Sequence, residues 1–265
     1  MSIKKKYGNR ALIAGGSEGI GAAFAHYLAD QGLELVLVAR RLAKLEATAA
    51  QLREQYGVKV HTIACDLARQ EAVKELEEQL HNQPIDVLVY NAAIPYIGKF
   101  EEDTPAHNSQ IAQANMVTPM NLIHSLGKRM LQQQKGAVIL MASMAGFQGS
   151  GFLAAYAASK AFNRVLAESL WYEWKDRGVE VIACCAGATA TPNYLDSQPK
   201  KTGFLAPKVQ SPAAVVQECF QQLGQQPSMI PGRGNRWASF FMHRLLPRKL
   251  AVKIMGDTTK QMYGF

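Results

Sequence analysis

Residues 10–21, RALIAGGSEGIG, join a short apolar run to a turn that carries glycines at positions 15, 19 and 21. A helical pattern begins directly afterwards, so the segment predicts a buried strand, a tight turn and a helix. Because glycine has no Cβ, backbone N–H groups and the positive end of the helix can approach a pyrophosphate closely. The segment therefore indicates a dinucleotide site, although glycines here would also suit a tight turn that binds nothing.

The rest of the chain repeats the unit of strand followed by helix. The predicted strands are apolar throughout, which is typical of a parallel sheet covered by helices on both faces. They are Arg10–Ala14, Leu33–Ala39, Lys59–Cys65, Ile85–Tyr90, Ala137–Ala142 and Val179–Cys185. The predicted helices lie at about Ile20–Gln31, Leu42–Gln55, Arg69–Leu80, Ala106–Gln134 and Leu153–Lys175. We expect an α/β fold with a doubly wound, Rossmann-like parallel sheet in the dinucleotide-binding strand order.

Length and composition favour one folded domain. The chain has 265 residues, of which 48% are apolar and 19% charged, with a formal net charge of +8. It is too apolar for a disordered protein, and its apolar runs are far shorter than the roughly 18 residues of a membrane-spanning helix. The four cysteines form no CxxC pair and the histidines show no ligand spacing, so neither disulfides nor a metal site is expected. We expect a single cytoplasmic domain over residues 1–265.

Three residues suggest catalysis. Tyr156 and Lys160 are four positions apart in a predicted helix, so both side chains project from one face. Ser143 lies 13 positions before Tyr156, at the end of a predicted strand. Each residue also has a purely structural explanation: Ser143 could cap a turn, Tyr156 could be a packed aromatic, and Lys160 could be an exposed helix residue. Together with the glycine turn, they resemble the short-chain dehydrogenase/reductase family over at least residues 8–231.

The resemblance implies an oxidoreductase that interconverts a carbonyl and a secondary alcohol with a nicotinamide cofactor. It assigns Tyr156 as the proton donor and Ser143 as a hydrogen-bond donor to the same carbonyl oxygen. The ammonium of Lys160 should lower the pKa of the Tyr156 phenol. The resemblance places Asp66 at the adenine amino group and Thr191 at the carboxamide. The implied cofactor site also includes Gly15, Ser17, Gly19, Ile20, Gly21, Asn91, Tyr156, Lys160 and Gly187.

Three positions depart from the family pattern. Ala93 replaces the glycine of an Asn-Ala-Gly segment, Ala186 replaces a proline, and Ala14 stands where threonine is common. If the turn at Ala93 required a positive φ, alanine would strain it. None of the three removes a catalytic group, so they mark a less typical member.

The second predicted strand ends with Arg40 and Arg41 and no acid. A carboxylate there would bind the ribose 2′-hydroxyl of NAD, whereas an arginine binds the 2′-phosphate of NADP. We predict NADP(H) rather than NAD(H), with Arg40 as the main phosphate ligand and Arg41 in support. Glu18 opposes this prediction, since related NADP-dependent proteins often carry a basic residue there. Arg41 would also suit the exposed first turn of a helix.

The leading functional hypothesis is a reductase of a lipophilic ketone, such as a 3-oxoacyl or steroid-like substrate. A lid is expected at about 188–210, where prolines interrupt the chain. The pocket candidates offer little that would pair with a charged substrate, and they are Ile94, Tyr96, Met144, Phe147, Tyr194, Leu195, Phe204 and Leu205. Two alternatives stay open. One is a non-catalytic dinucleotide-binding sensor or scaffold, and the other is an epimerase or dehydratase, although those relatives are usually longer.

Basic and aromatic residues are mixed in a C-terminal extension at about 232–265. Between Gln226 and Phe265 there are seven Lys or Arg and one acid, Asp257. This mixture suits peripheral contact with an anionic membrane or a subunit interface. Since family relatives are commonly oligomeric, a homodimer or homotetramer is expected. Nucleic acid is not an expected partner, because no binding motif accompanies the charge.

Pro119 lies four residues after Asn115 within the longest predicted helix. Proline lacks the N–H that would bond to the carbonyl four residues earlier, so it should kink the helix and free the Asn115 carbonyl. The resemblance implies that a water on this carbonyl leads from Lys160 toward solvent, so that Tyr156 regains its proton. A kink without a water is the structural alternative.

Overall fold

The computed structural model describes residues 2–81, 83–200 and 208–265. Its strands are β1 (Arg10–Ala14), β2 (Glu34–Ala39), β3 (Val60–Ala64), β4 (Val87–Tyr90), β5 (Gly136–Ser143), β6 (Val179–Ala186) and β7 (Ser228–Met229). All pairings are parallel, and the order is β3-β2-β1-β4-β5-β6-β7. The predicted fold class and strand order are confirmed. The two-residue β7 was not predicted, because so short a strand has no periodic signal.

Helices cover both faces of the sheet. They are α1 (Ile3–Tyr7), α2 (Gly19–Asp30), α3 (Leu42–Tyr56), α4 (Ala72–Leu80), α5 (Pro105–Ala112), α6 (Thr118–Gln132), α7 (Ala154–Trp174), α8 (Pro192–Asp196), α9 (Pro212–Gln222), α10 (Arg233–Phe240) and α11 (Arg248–Tyr263). The single long helix predicted at Ala106–Gln134 is wrong in detail, because a π-helical turn at Gln113–Val117 separates α5 from α6. The predicted start of α4 at Arg69 is also wrong, since the Arg69 N–H donates to the Asp66 carbonyl in a preceding turn.

The sheet places several loops at one edge. Chain order reverses between β1 and β4, which lie side by side at the centre of the sheet. In a parallel sheet all strands end at the same edge, and ligands bind in the crevice outside that reversal. The loops that follow β1 to β6 therefore surround one crevice, and these loops and the helices that follow them carry the residues selected from the sequence.

The core lies on both faces of the sheet. Leu12 and Ile13 of β1 are fully buried and belong to clusters on opposite faces. Cys184 and Cys185 are also fully buried, as predicted for small apolar residues in a strand. Strands buried on both faces account for the absence of polar alternation in the sequence.

The C-terminal extension packs across the loops at the site edge. The ring of Phe265 stacks on Phe152 with centroids 4.4 Å apart. Just before it, the Lys200 N–H donates to the Met262 carbonyl at 2.9 Å. α11 thus covers the loop before α7 and the chain after α8. Within the described ranges, no helix is both long and apolar enough to cross a membrane.

Candidate active site

The turn after β1 adopts a backbone that favours glycine. Gly15 has φ +80° and Gly19 has φ +60°. A Cβ on Gly15 would lie 2.8 Å from the Ala92 backbone nitrogen, and one on Gly21 would overlap the Gly15 carbonyl oxygen. Glu18, which precedes α2, makes no capping side-chain bond, so the α2 N-terminus keeps donors for a ligand. A pyrophosphate fits this cradle, because it needs N–H donors and close backbone approach.

The glycine turn is tied to α3, which follows the two predicted phosphate ligands. The Thr48 hydroxyl donates to the Ser17 carbonyl at 3.0 Å. Arg41 precedes α3 and donates to the Glu18 carboxylate at 2.6 Å. Arg40 is exposed at the end of β2. Glu18, which counts against the prediction of NADP(H), therefore forms an ion pair with one of the two arginines predicted to bind the 2′-phosphate.

Two polar side chains follow β3 and β4. The Asp66 carboxylate accepts from the Ala68 N–H at 3.1 Å, which fixes it beside the end of β3. The Asn91 amide donates to the Gly15 carbonyl at 3.1 Å and so braces the glycine turn from β4. Ala93 is not among the residues with positive φ, so alanine fits the turn where glycine is usual without strain.

Ser143, Tyr156 and Lys160 come together beyond the end of β5. Ser143 is the last residue of β5, and its side chain lies close enough to the Tyr156 hydroxyl to affect the pKa of that phenol. It also accepts from the Ala145 N–H at 3.2 Å, so it caps a turn as well. Lys160 lies one turn of α7 after Tyr156, with its Nζ 5.6 Å from the phenol ring centre. The Lys160 ammonium donates to the Met141 carbonyl at 2.8 Å.

Burial dominates the protonation of both groups. It raises the pKa of Tyr156, while the Ser143 side chain lowers that pKa in part and the nearby Tyr263 raises it further. It also lowers the pKa of Lys160 to about 8. The expected lowering of the Tyr156 pKa by Lys160 is therefore wrong for the chain by itself. Burial of the phenol is the largest effect on its pKa, and the Lys160 ammonium donates to the Met141 carbonyl.

Asn115 lies in the π-helical turn and is fully buried. Its side-chain oxygen accepts from the Ile94 N–H at 2.8 Å, and its amide nitrogen donates to the Ile94 carbonyl at 3.0 Å. The same nitrogen donates to the Ser159 hydroxyl at 3.1 Å, next to Lys160. The sequence singled out the Asn115 carbonyl and missed this side-chain bridge. The irregular turn lies before Pro119, and release of the carbonyl to a water stays a prediction.

The loop after β6 closes the other side of the cradle. A Cβ on Gly187 would lie 2.8 Å from the Asn235 amide nitrogen, so the backbone packs tightly against α10. The Thr191 methyl group lies 3.0 Å from a Cβ built on Gly19, so Thr191 stands against the glycine turn. Ile20 packs against the apolar core beneath the same turn.

The predicted pocket residues do not share one environment. Phe147 stacks on His243, with centroids 5.2 Å apart, and Leu195 is largely exposed. Phe204 and Leu205 lie outside the described residues. The sequence missed Tyr263 at the end of α11, whose hydroxyl lies 3.3 Å from the Ser197 hydroxyl. Nothing in the spacing of the sequence brings residue 263 to Tyr156, since only the packing of α11 does so.

The comparisons with known proteins agree with this geometry. A family model described as short chain dehydrogenase matches residues 9–202. A 7beta-hydroxysteroid dehydrogenase of Clostridium sardiniense is 30% identical over 89% of this chain and 90% of its own length. A solved structure from work on the stereoselectivity of 7beta-hydroxysteroid dehydrogenase superposes with a TM-score of 0.90 and 28% identity. The superposition covers 96% of this chain and 99% of that chain. The structure of a short-chain dehydrogenase from Sphingobium yanoikuyae in complex with NADPH superposes with a TM-score of 0.76 and 28% identity. The superposition covers 88% of this chain and 92% of that chain.

The match to the family model spans more than half of the chain and includes the glycine turn, Ser143, Tyr156 and Lys160. The chain therefore belongs to the short-chain dehydrogenase/reductase family of NAD(P)-dependent oxidoreductases.

Proposed function

We propose that the protein interconverts a lipophilic ketone and its secondary alcohol with NADP(H), acting mainly as a reductase. The observation that carries the proposal is the placement of Ser143 at the end of β5, where its side chain acts on the pKa of the Tyr156 phenol. Lys160 follows one turn later on α7, and the glycine turn after β1 is shaped for a dinucleotide at the same edge of the sheet. This combination of groups supports proton transfer beside a bound nicotinamide.

Each residue has a distinct task in this proposal. The bound cofactor supplies the hydride. Tyr156 donates its hydroxyl proton to the substrate oxygen, and Ser143 donates a hydrogen bond to that oxygen. The buried Lys160 holds a proton near the phenol, and with a pKa of about 8 it gains and loses that proton at moderate pH. Asn115 positions the loop through Ile94, and its backbone carbonyl is the proposed start of a water path from Lys160.

The preference for NADP(H) rests on the end of β2. Arg40 and Arg41 follow the strand, and no carboxylate follows it to accept the ribose hydroxyl of NAD. The Sphingobium yanoikuyae relative is described in complex with NADPH, which supports the same cofactor here. We assign the 2′-phosphate to these arginines, the adenine to Asp66 and the carboxamide to Thr191.

A steroid-like ketone fits the substrate side better than an acyl chain. The similar proteins of known name include several 7beta-hydroxysteroid dehydrogenases. α11 and the residues after it bring Tyr263 and Phe265 to this side of the sheet and add rigid aromatic surface. Rigid rings stack well on such surface, whereas a flexible acyl chain loses more conformational freedom on binding. We therefore propose an oxosteroid as the substrate class.

α10 and the turn after it carry a surface that we assign to an anionic membrane. Trp237 is 73% exposed, Leu245 60%, Phe241 53% and Phe240 52%. Basic residues flank these side chains, namely Arg233, Arg236, Arg244, Arg248 and Lys249, and no acid occurs between Arg233 and Asp257. Two copies meeting through this surface would bring like charges together, whereas anionic headgroups complement them. Homodimers or homotetramers would form elsewhere, and exposed Val165 and Tyr172 on α7 offer such a surface.

Liposome co-sedimentation tests the membrane assignment. Vesicles of phosphatidylcholine with phosphatidylserine should retain the protein, and vesicles of phosphatidylcholine alone should not. Trp237→Ser should abolish retention, whereas Tyr172→Ser, which alters an aromatic of similar exposure on α7, should leave it unchanged. Equal retention on both vesicle types would contradict the assignment. Loss of a dimer in Trp237→Ser would indicate a second copy of the chain instead.

Turnover tests the catalytic proposal. NADPH absorbance is followed with a 7-oxosteroid, a 3-oxoacyl thioester and small ketones, and then with NADH in place of NADPH. We expect the highest kcat/KM for the oxosteroid with NADPH. No consumption with any carbonyl, despite tight NADPH binding, would support the non-catalytic alternative. A higher kcat/KM with NADH would overturn the assignment of the cofactor.

A further inference from the structure

The Glu18 carboxylate forms ion pairs with two basic side chains at the beginning of α3. One carboxylate oxygen pairs with Arg41 at 2.6 Å and the other pairs with Lys44 at 3.0 Å. Burial opposes ionisation of Glu18, but its hydrogen bond to Lys44 and the charge of Arg41 outweigh burial and lower its pKa. Glu18 is therefore ionised at neutral pH, and both of its oxygens are engaged.

Arg40 differs from the two cations that Glu18 holds. Among the residues that the structure describes, no hydrogen bond or ion pair involves its guanidinium. Both arginines lie where the proposed function places the 2′-phosphate, yet only Arg41 already has an anionic partner. A phosphate that approaches this corner meets one unengaged cation and two that a carboxylate partly neutralises.

We propose that Glu18 is a specificity-determining residue that weakens recognition of the 2′-phosphate by competing with it for Arg41 and Lys44. The inference rests on the proposed binding of NADP(H) at the end of β2. Three cations and one carboxylate give this corner a net charge of +2, and removal of the carboxylate gives +3. Arg40 supplies most of the attraction, and Arg41 contributes only when the phosphate displaces Glu18. Glu18 thus limits how strongly the protein distinguishes NADP(H) from NAD(H).

Isothermal titration calorimetry with 2′,5′-ADP and 5′-AMP isolates the 2′-phosphate, because the two ligands differ only in that group. Glu18→Gln keeps the size of the side chain and removes its charge. Glu18→Gln releases Arg41 and Lys44 from a partly exposed ion pair. This release should tighten 2′,5′-ADP binding about fivefold and change 5′-AMP binding less than twofold. Glu46→Gln is the matched control. It removes a carboxylate that pairs with Arg53 at 3.2 Å on the same helix, and neither ligand should respond.

A double-mutant cycle separates competition from general charge. In an Arg41→Ala background, the gain from Glu18→Gln should fall to about twofold, because only Lys44 is left to be released. Unchanged or weaker 2′,5′-ADP binding in Glu18→Gln would show that Glu18 holds Arg41 in place for the phosphate. Equal tightening of both ligands would show a general effect of charge on nucleotides. Either result overturns the inference.

Failure of the inference is distinguishable from failure of the proposed cofactor. The ratio of the two affinities in the unaltered protein tests the cofactor, since a tighter 5′-AMP would contradict NADP(H). The change caused by Glu18→Gln tests the inference, whichever ligand the unaltered protein prefers. Thermal unfolding of each variant, compared with the Glu46→Gln control, shows whether an altered affinity reflects altered folding.

Discussion

Replacement of Lys160 by methionine should stabilise the protein while it abolishes turnover. Lys160 is 3% exposed, and burial lowers its pKa from 10.5 to about 8. At about 1.4 kcal/mol per pKa unit, carrying the charged side chain costs about 3 kcal/mol of folding free energy at pH 7. Methionine removes that cost but loses the hydrogen bond to the Met141 carbonyl, worth about 1 kcal/mol. The expected net gain is about 2 kcal/mol.

The dependence on pH fixes the sign of this effect. Below pH 8, Lys160 is protonated in the folded and unfolded chains, so the cost is complete. Between about 8 and 10.5, the folded chain releases the proton while the unfolded chain keeps it. The unfolded state then binds more protons, so this lysine makes the unaltered protein more stable as pH rises. The advantage of Lys160→Met should therefore be largest at pH 7 and should fade toward pH 10.

Urea unfolding followed by tryptophan fluorescence measures this difference at pH 7 and pH 9.5. Lys128→Met is the control, because Lys128 is exposed on α6 and its replacement should change stability little. Lower stability of Lys160→Met at pH 7, or a stability difference that does not vary with pH, would refute the reasoning.

The other predictions concern the phenol, the glycine turn and the C-terminus. Tyr156→Phe should lower kcat by about 10² to 10⁴ and leave the NADPH Kd unchanged, which stopped-flow and fluorescence titration measure; an undiminished kcat would remove Tyr156 from catalysis. Gly21→Ala should abolish NADPH binding in the same titration, because its Cβ would overlap the Gly15 carbonyl, whereas Gly234→Ala, with open space around it, should not. Phe265→Ala should raise KM for an oxosteroid about threefold or more, since it loses the ring stack, while KM for a small ketone stays constant; equal changes would place Phe265 outside the pocket.

The sequence predicted the sheet because its signals are local. Each central strand is a short apolar run, and the turn at Gly15 uses a backbone conformation that favours glycine. The grouping of Ser143 with Tyr156 and Lys160 follows from helical spacing and the position of the serine at the end of β5. Local spacing and local conformation were enough for these features.

Long-range packing explains what the sequence did not predict. The pKa of Tyr156 depends on its burial and on Tyr263, which α11 brings from the far end of the chain. The bridge from Asn115 to Ile94 depends on the π-helical turn, which hydrophobic periodicity does not distinguish from an α-helix. The pairing of Glu18 with Arg41 joins two neighbouring loops. Each of these contacts arises only when separate elements meet.

Transfer of hydride tests the central claim most directly. The protein is incubated with NADPH that carries deuterium at the transferable position of the nicotinamide and with a 7-oxosteroid, and the steroid product is examined by mass spectrometry. We predict one deuterium per alcohol formed, one NADPH oxidised per alcohol, and product formation that is about 10² to 10⁴ times slower with Tyr156→Phe. If no carbonyl compound of the panel gives a deuterated alcohol, with either deuterated NADPH or deuterated NADH, the account is contradicted.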